Sequence, residues 1–105
     1  MNLEKYLDRK YLDLLYDNYE EFYLNLIDME NFDKIYNLLK ENKFECLEDI
    51  IINYIELFDI DYDYVSLALK DIQQILGDNY QELIKKDLRL FESVLNKAME
   101  YSEKE

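Results

Sequence analysis

Three aspartates alternate with large side chains in FDIDYDYVS, residues 58–66, so that Asp59, Asp61 and Asp63 carry the spacing with which an EF-hand loop begins its calcium cage. Such a loop turns sharply at its sixth position on a glycine and closes at its twelfth on a bidentate glutamate. Here those positions hold Tyr64 and Lys70, and the calcium reading fails at both. Zinc chemistry needs thiolates and imidazoles, but the chain has no histidine and one cysteine, Cys46. With no histidine to activate it, Cys46 reads as a small core residue beside Leu47 rather than a nucleophile. A phosphate cradle needs several glycines at a strand-to-helix junction, and Gly77 is the one glycine present. Among the 25 acids no pair stands out by spacing or by an apolar setting as an acid and base couple. The chain therefore reads as a non-enzyme that requires no cofactor.

The elements that hold these side chains are read from apolar periodicity. At 105 residues, half of them hydrophobic, the sequence is long enough for one core. Without proline and with a single glycine it lacks the punctuation of sheet folds, and it reads as all-α. Leu3, Leu7, Tyr11, Leu14 and Leu15 open a first helix, and Tyr19, Phe22, Tyr23, Leu26 and Ile27 continue the stripe, either past a break or bend near Tyr16 to Asn18, where Asp17 and Glu20 resemble a capping box, or as one long helix. Asn31 is expected to cap a short helix carrying Phe32, Ile35, Tyr36, Leu38 and Leu39, which Asn42 ends in the left-handed conformation. A fourth helix presents Leu47, Ile50, Ile51, Tyr54, Ile55 and Phe58, with Ile52 and Leu57 widening its face.

Val65, Ala68, Leu69, Ile72, Ile75 and Leu76 predict a fifth helix stopped by Gly77, with Asp61 or Asp63 at its cap. Asp78 and Gln81 then begin a longer C-terminal helix whose face holds Tyr80, Ile84, Leu88, Phe91, Leu95, Ala98 and Met99. The expected architecture is an irregular single-domain bundle of five or six short helices over residues 1–101, with a frayed tail at 102–105. The charged N-terminus lacks a secretory apolar run, and no apolar stretch is long enough to span a bilayer. With its lone cysteine, the chain is expected in a reducing, cytoplasmic setting.

Charge is distributed unevenly. The net charge is −13, which disfavours nucleic acid and anionic membranes as direct partners and favours a basic protein. Residues 44–83 hold ten acids against the single base Lys70, whereas residues 84–105 hold five of each sign. Solubility alone favours interspersed signs, so a one-signed block reads as a field displayed to a partner. A 14-residue helix is about 21 Å long, and duplex DNA of that length carries roughly 12 charges. Such a segment can occupy a groove that ordinarily takes nucleic acid. Of the 11 tyrosines, most lie on or beside apolar stripes, while Tyr62 and Tyr64 flank the acids and can stack on guanidinium groups.

Small size, acidity, helicity and richness in Asn, Lys, Ile and Tyr make the chain resemble the small anti-defence proteins of bacterial phages, including anti-CRISPR proteins and other DNA mimics. The likeness covers bulk composition over the whole chain, and no functional residue carries over from it. Acidic immunity proteins that inhibit bacteriocin nucleases, and antitoxins, look similar on the same grounds. The expectation is a non-enzymatic inhibitor of a basic, nucleic-acid-handling protein, with contacts at Glu48, Asp49, Glu56, Asp59, Asp61, Tyr62, Asp63 and Tyr64. A reading from another class is a helical oligomerisation module, in which the last helix pairs with a second copy through Leu90 and Val94.

Overall fold

The computed structural model describes residues 3–104, and these form seven α-helices and two 3-10 turns joined by short connections. The helices are α1 (Arg9–Asn18), α2 (Glu21–Asn25), α3 (Met29–Glu41), α4 (Leu47–Asn53), α5 (Tyr62–Leu76), α6 (Tyr80–Lys86) and α7 (Phe91–Glu103). One 3-10 turn, Ile55–Asp59, follows α4, and the other, Leu88–Leu90, joins α6 to α7. The fold is all-α with a long C-terminal helix, as its periodicity requires. At 15 residues α5 is longer still, and it packs most extensively against α7. No helix among the described residues is long and apolar enough to cross a membrane. Of the 102–105 tail, residues 102–103 continue α7, and Glu105 lies outside the described residues.

Two aromatic groups lie within one apolar core. Phe32 stacks on Phe58 at 4.5 Å between centroids, with Tyr6 tilted 4.9 Å from Phe32 and 4.8 Å from Tyr36. Phe44 meets the edges of Tyr80 and Phe91, and Tyr54 leans on Phe91 at 5.3 Å. Such pairings add about 0.5–1.5 kcal/mol each to what burial of the rings supplies. The stripe Val65, Ala68, Leu69 and Ile72 on α5 is buried as its spacing predicts, while Ile75, one turn further, is exposed.

Helix boundaries differ from the sequence expectation at both ends of several elements. Leu3 to Leu7 form a hydrogen-bonded turn, not the start of a helix, and Asp8 stands at the N-cap position of α1. Asp17 lies inside α1, and the break falls at Tyr19 and Glu20. Asn18, Asn42 and Asn53 each turn a side-chain amide back to the carbonyl four residues earlier, at 2.8–2.9 Å, at or just past a helix end. In a chain with one glycine and no proline, these amides give the last carbonyls of α1, α3 and α4 a second donor beside the backbone.

Asp28, not Asn31, caps α3, its side chain accepting from the Glu30 amide. At the other end Lys43, not Asn42, takes the left-handed conformation at φ 67°. Phe44 N donates to Leu39 O and Lys43 N to Lys40 O, the Schellman pair of bonds, with buried Phe44 closing over buried Leu39. The Asn42 side-chain oxygen accepts from the Tyr80 hydroxyl at 3.1 Å, and the Asn42 backbone carbonyl accepts from Gln81 Nε2 at 2.7 Å. The end of α3 is thereby tied to the start of α6. Asp78 therefore does not cap the last helices, since Asn79 precedes α6 without a side-chain cap bond.

The continuous fourth helix is interrupted at Tyr54, whose φ of −134° leaves the helical region while its hydroxyl donates to Leu88 O at 3.1 Å. The following 3-10 turn rotates Leu57 fully into the core beside Ile55 and Phe58. Asp87 divides the final helix in the same manner, its carboxylate taking the Arg89 amide and both guanidinium nitrogens Nε and Nη2 at 2.9–3.2 Å. That division shifts the phase of α7. Val94 becomes fully buried, Leu95 half-buried and Met99 exposed. Val94 thus belongs to the core and cannot pair with a second copy, and Leu90 is half-buried against the same core.

At Gly77 the backbone has φ 92° and ψ −178°, a region that side-chain-bearing residues scarcely enter. A Cβ there would meet no atom within 4 Å, so the constraint is conformational rather than steric. Gly77→Ala is predicted to lower stability by about 1–3 kcal/mol. Urea unfolding should show a reduced midpoint with an unchanged slope, and a midpoint equal to that of the parent would contradict this.

Candidate acidic interface

The acidic end of the molecule is built around the side chain of Asn31. Its Nδ2 donates to Phe58 O at 3.1 Å and to Ile60 O at 2.7 Å, and its Oδ1 accepts from the Tyr62 amide at 2.9 Å. Those three backbone groups belong to the stretch that leaves the 3-10 turn and begins α5. They are groups that a turn cannot satisfy within itself, and the half-buried carboxamide meets all of them. The first turn of α3 and the first turn of α5 are thereby held side by side.

Each of those turns carries acids. Asp61 caps α5 by accepting from the Asp63 amide at 3.0 Å, as Asp28 caps α3 at the same distance. Two adjoining hollows of about 260 and 280 Å³ lie between the helix starts. Asp28, Glu30, Asp59, Asp61 and Asp63 line them, and Lys34 is the one base at their rim. Tyr62 lines the second hollow and is half-buried against the core. Although Asp59 is exposed as a residue, its carboxyl lies close enough to the wall of the turn for lost hydration to raise its pKa. The continuous helix from Tyr62 onward places Asp61 and Asp63 on a helix start, not on a loop that wraps an ion.

The eight residues expected to meet a partner do not form one patch. Asp59, Asp61, Tyr62 and Asp63 come together. Glu56 is exposed on the 3-10 turn and accepts from the Tyr19 hydroxyl at 2.9 Å, which extends the acidic surface toward α2. Tyr64 is half-buried on the first turn of α5. Glu48 and Asp49 open α4 instead, where Asp49 lies near Cys46 and the Lys85–Glu45 ion pair. Cys46 is free and half-buried, and burial raises its thiol pKa.

The forty-residue acidic block is also less free in three dimensions than in sequence. Lys85 offsets the charge of Glu45, and the Asp71 carboxylate is engaged by the Tyr101 hydroxyl. The bend at Tyr54 further removes the straight 14-residue rod on which the comparison with DNA length rested. Asp28 and Glu30 are members of the cluster that the charge count missed, because they lie in a segment of mixed sign. Their one sequence signal is the Asp at the start of an apolar stripe, which marks a helix start but not its neighbour.

Tyr19 and Tyr23 stack at 6.0 Å beside the acids. Burial, then the hydrogen bond to Glu56 and its charge, pushes the Tyr19 phenol up to about 12 from an ordinary value near 10. Burial, with Asp59 and Glu56 nearby, raises Tyr23 as well. The folded state thus holds the Tyr19 proton more tightly than the unfolded chain, so this stabilisation is complete below about pH 10 and is lost as pH rises toward about 12. Between those limits the parent should lose more stability with pH than Tyr19→Phe does, as read by chemical unfolding. Parallel curves would contradict the geometry. No protein-family model matches the chain, and no curated protein and no solved structure matches it either.

Proposed function

We propose that the protein is a non-enzymatic acidic inhibitor that binds a basic, nucleic-acid-handling protein and occupies the groove in which that protein holds nucleic acid. The observation that supports this is the convergence of five carboxylates from α3, the 3-10 turn and α5 against one base, on a junction fixed by Asn31. Folding alone requires two of them, the caps Asp28 and Asp61. Glu30, Asp59 and Asp63 accept no hydrogen bond or ion pair that would account for their accumulation among the described residues.

A fixed cluster of exposed like charges speeds encounter with an oppositely charged groove and makes binding salt-sensitive. Nucleic acid itself is repelled by the same field. Tyr19, Tyr23 and Tyr62, at the borders of the cluster, offer ring faces to arginines displaced from phosphate. The setting is a reducing, cytoplasmic one, which the free Cys46 supports. The target is a bacterial defence effector of the kind that phage anti-defence proteins block. A nuclease toxin held by an immunity protein would be engaged by the same physics.

The test is a pull-down from the native host with mass spectrometry at low and high salt, using the parent and a variant with Asp59, Asp61 and Asp63 changed to asparagine. Asparagine keeps the α5 cap while removing three charges. The expected result is a basic, nucleic-acid-binding partner that is lost at high salt and bound roughly tenfold more weakly by the variant. A neutral partner held equally by both proteins at high salt would overturn the proposal.

A further inference from the structure

Tyr19, Phe22, Tyr23 and Leu26 have helical spacing in the sequence, yet Tyr19 precedes α2, Leu26 is its C-cap, and this is not the side that the segment turns to the core. Leu24 and Ile27 fill that role and are buried, whereas Phe22 and Leu26 are 74% and 66% exposed. The two tyrosines sit at the inner edge of the stripe. Tyr19 is hydrogen-bonded to Glu56, and Tyr23 is stacked on Tyr19 with Asp59 and Glu56 close to it. Leu26, in helical conformation at the C-cap of α2, is four residues from Phe22 and three from Tyr23 and so adjoins both on the surface, while Tyr19 precedes α2 and reaches the group through its stack on Tyr23. The chain leaves α2 through Ile27 directly into Asp28, the cap of α3 and a wall of both hollows. A large apolar pair therefore stands in the open, with Glu20, Glu21 and Asp28 beside it in sequence and with Glu56 and Asp59 against the tyrosines next to it.

Charge decides what covers it. A second copy would bring one acidic rim against another, and nucleic acid or an anionic membrane would meet the same repulsion. A basic protein segment with apolar side chains suits both the centre and the rim, the arrangement in which interface anchors are surrounded by polar contacts that exclude water. We infer that Phe22 on α2 and Leu26 at its C-cap are the apolar anchor of the acidic interface and receive a basic amphipathic segment of the partner, its leucine-like side chains on the anchor and its arginines on Glu56 and Asp59. This rests on the reading of the protein as the ligand of a basic partner. It adds that charge alone does not give the affinity.

The test uses the full chain and two synthetic peptides of equal positive charge, one an amphipathic helix with leucines along a face flanked by arginines, the other with serines in place of the leucines. Binding is followed by calorimetry and by backbone amide shifts at several salt concentrations. The amphipathic peptide should bind about tenfold more tightly than its control. Phe22→Ala with Leu26→Ala should abolish that advantage while leaving the control's affinity and salt slope unchanged. Both positions are exposed, and an unaltered melting curve verifies that the variant is folded. If the double variant binds the amphipathic peptide as the parent does, the anchor is wrong and the acidic interface stands. If neither peptide binds, or both bind without salt dependence, the acidic interface itself falls and the anchor with it. Self-association of the parent that the double variant abolishes would make a second copy the occupant and overturn the inference.

Discussion

One carboxamide, that of Asn31, meets two carbonyls and an amide that the stretch between Phe58 and Tyr62 leaves without partners of its own. An unmet backbone polar group costs about 1–3 kcal/mol when buried, so three of them would cost a sizeable share of a small domain's stability. Asparagine suits the place because its amide nitrogen has two hydrogens for the carbonyls and its oxygen takes the amide. Aspartate would offer acceptors to acceptors, and leucine would offer nothing. The stacking of Phe32 on Phe58, one residue from Asn31 and inside the bridged segment, adds apolar contact beneath the polar link. Asn42 performs a related service at the far end of α3, joining it to Tyr80 and Gln81. The helix acts as a strut with a polar tie at each end.

Like charges gathered by such a link repel one another, and part of that repulsion is offset where they lie. Asp28 and Asp61 are caps, and Glu30 and Asp63 lie in the first turns of α3 and α5. Each helix start presents roughly half a positive charge, and an acid there gains about 0.3–1 kcal/mol. Two such starts offset about one charge of the five, with Lys34 offsetting another. A net negative field remains at the junction, and it is held by backbone rather than by flexible side chains alone. The fold can thus sustain a display that would open a loosely connected loop.

Much of this was legible in the residues. The period of Val65, Ala68, Leu69 and Ile72 gave α5 its buried face, Gly77 its end, and Asp61 or Asp63 its beginning. Periodicity reports a single element's face and is silent about contacts between residues some thirty apart, such as Asn31 with Tyr62 or Tyr54 with Leu88. For that reason the breaks at Tyr54 and Asp87 were missed, and with them the burial of Val94. The α2 stripe misled for a different reason. Its apolar spacing is regular, but α2 is five residues long and meets the core through Leu24, leaving Phe22 and Leu26 outside. In the acidic cluster, Asp59, Asp61 and Asp63 were visible as a charge run, while Asp28 and Glu30 join it only through the placement of α3.

The Asn31 link is tested most directly by native-state hydrogen exchange at the Tyr62 amide. Tyr62 is the first residue of α5, where an amide has no partner within the helix and would ordinarily exchange freely. Donation to Asn31 Oδ1 predicts slow exchange in the parent, comparable to the middle of α5, and rapid exchange in Asn31→Ala while the α7 core amides remain protected. Rapid exchange of the Tyr62 amide in the parent, with the core still protected, would contradict the account of a fixed acidic junction.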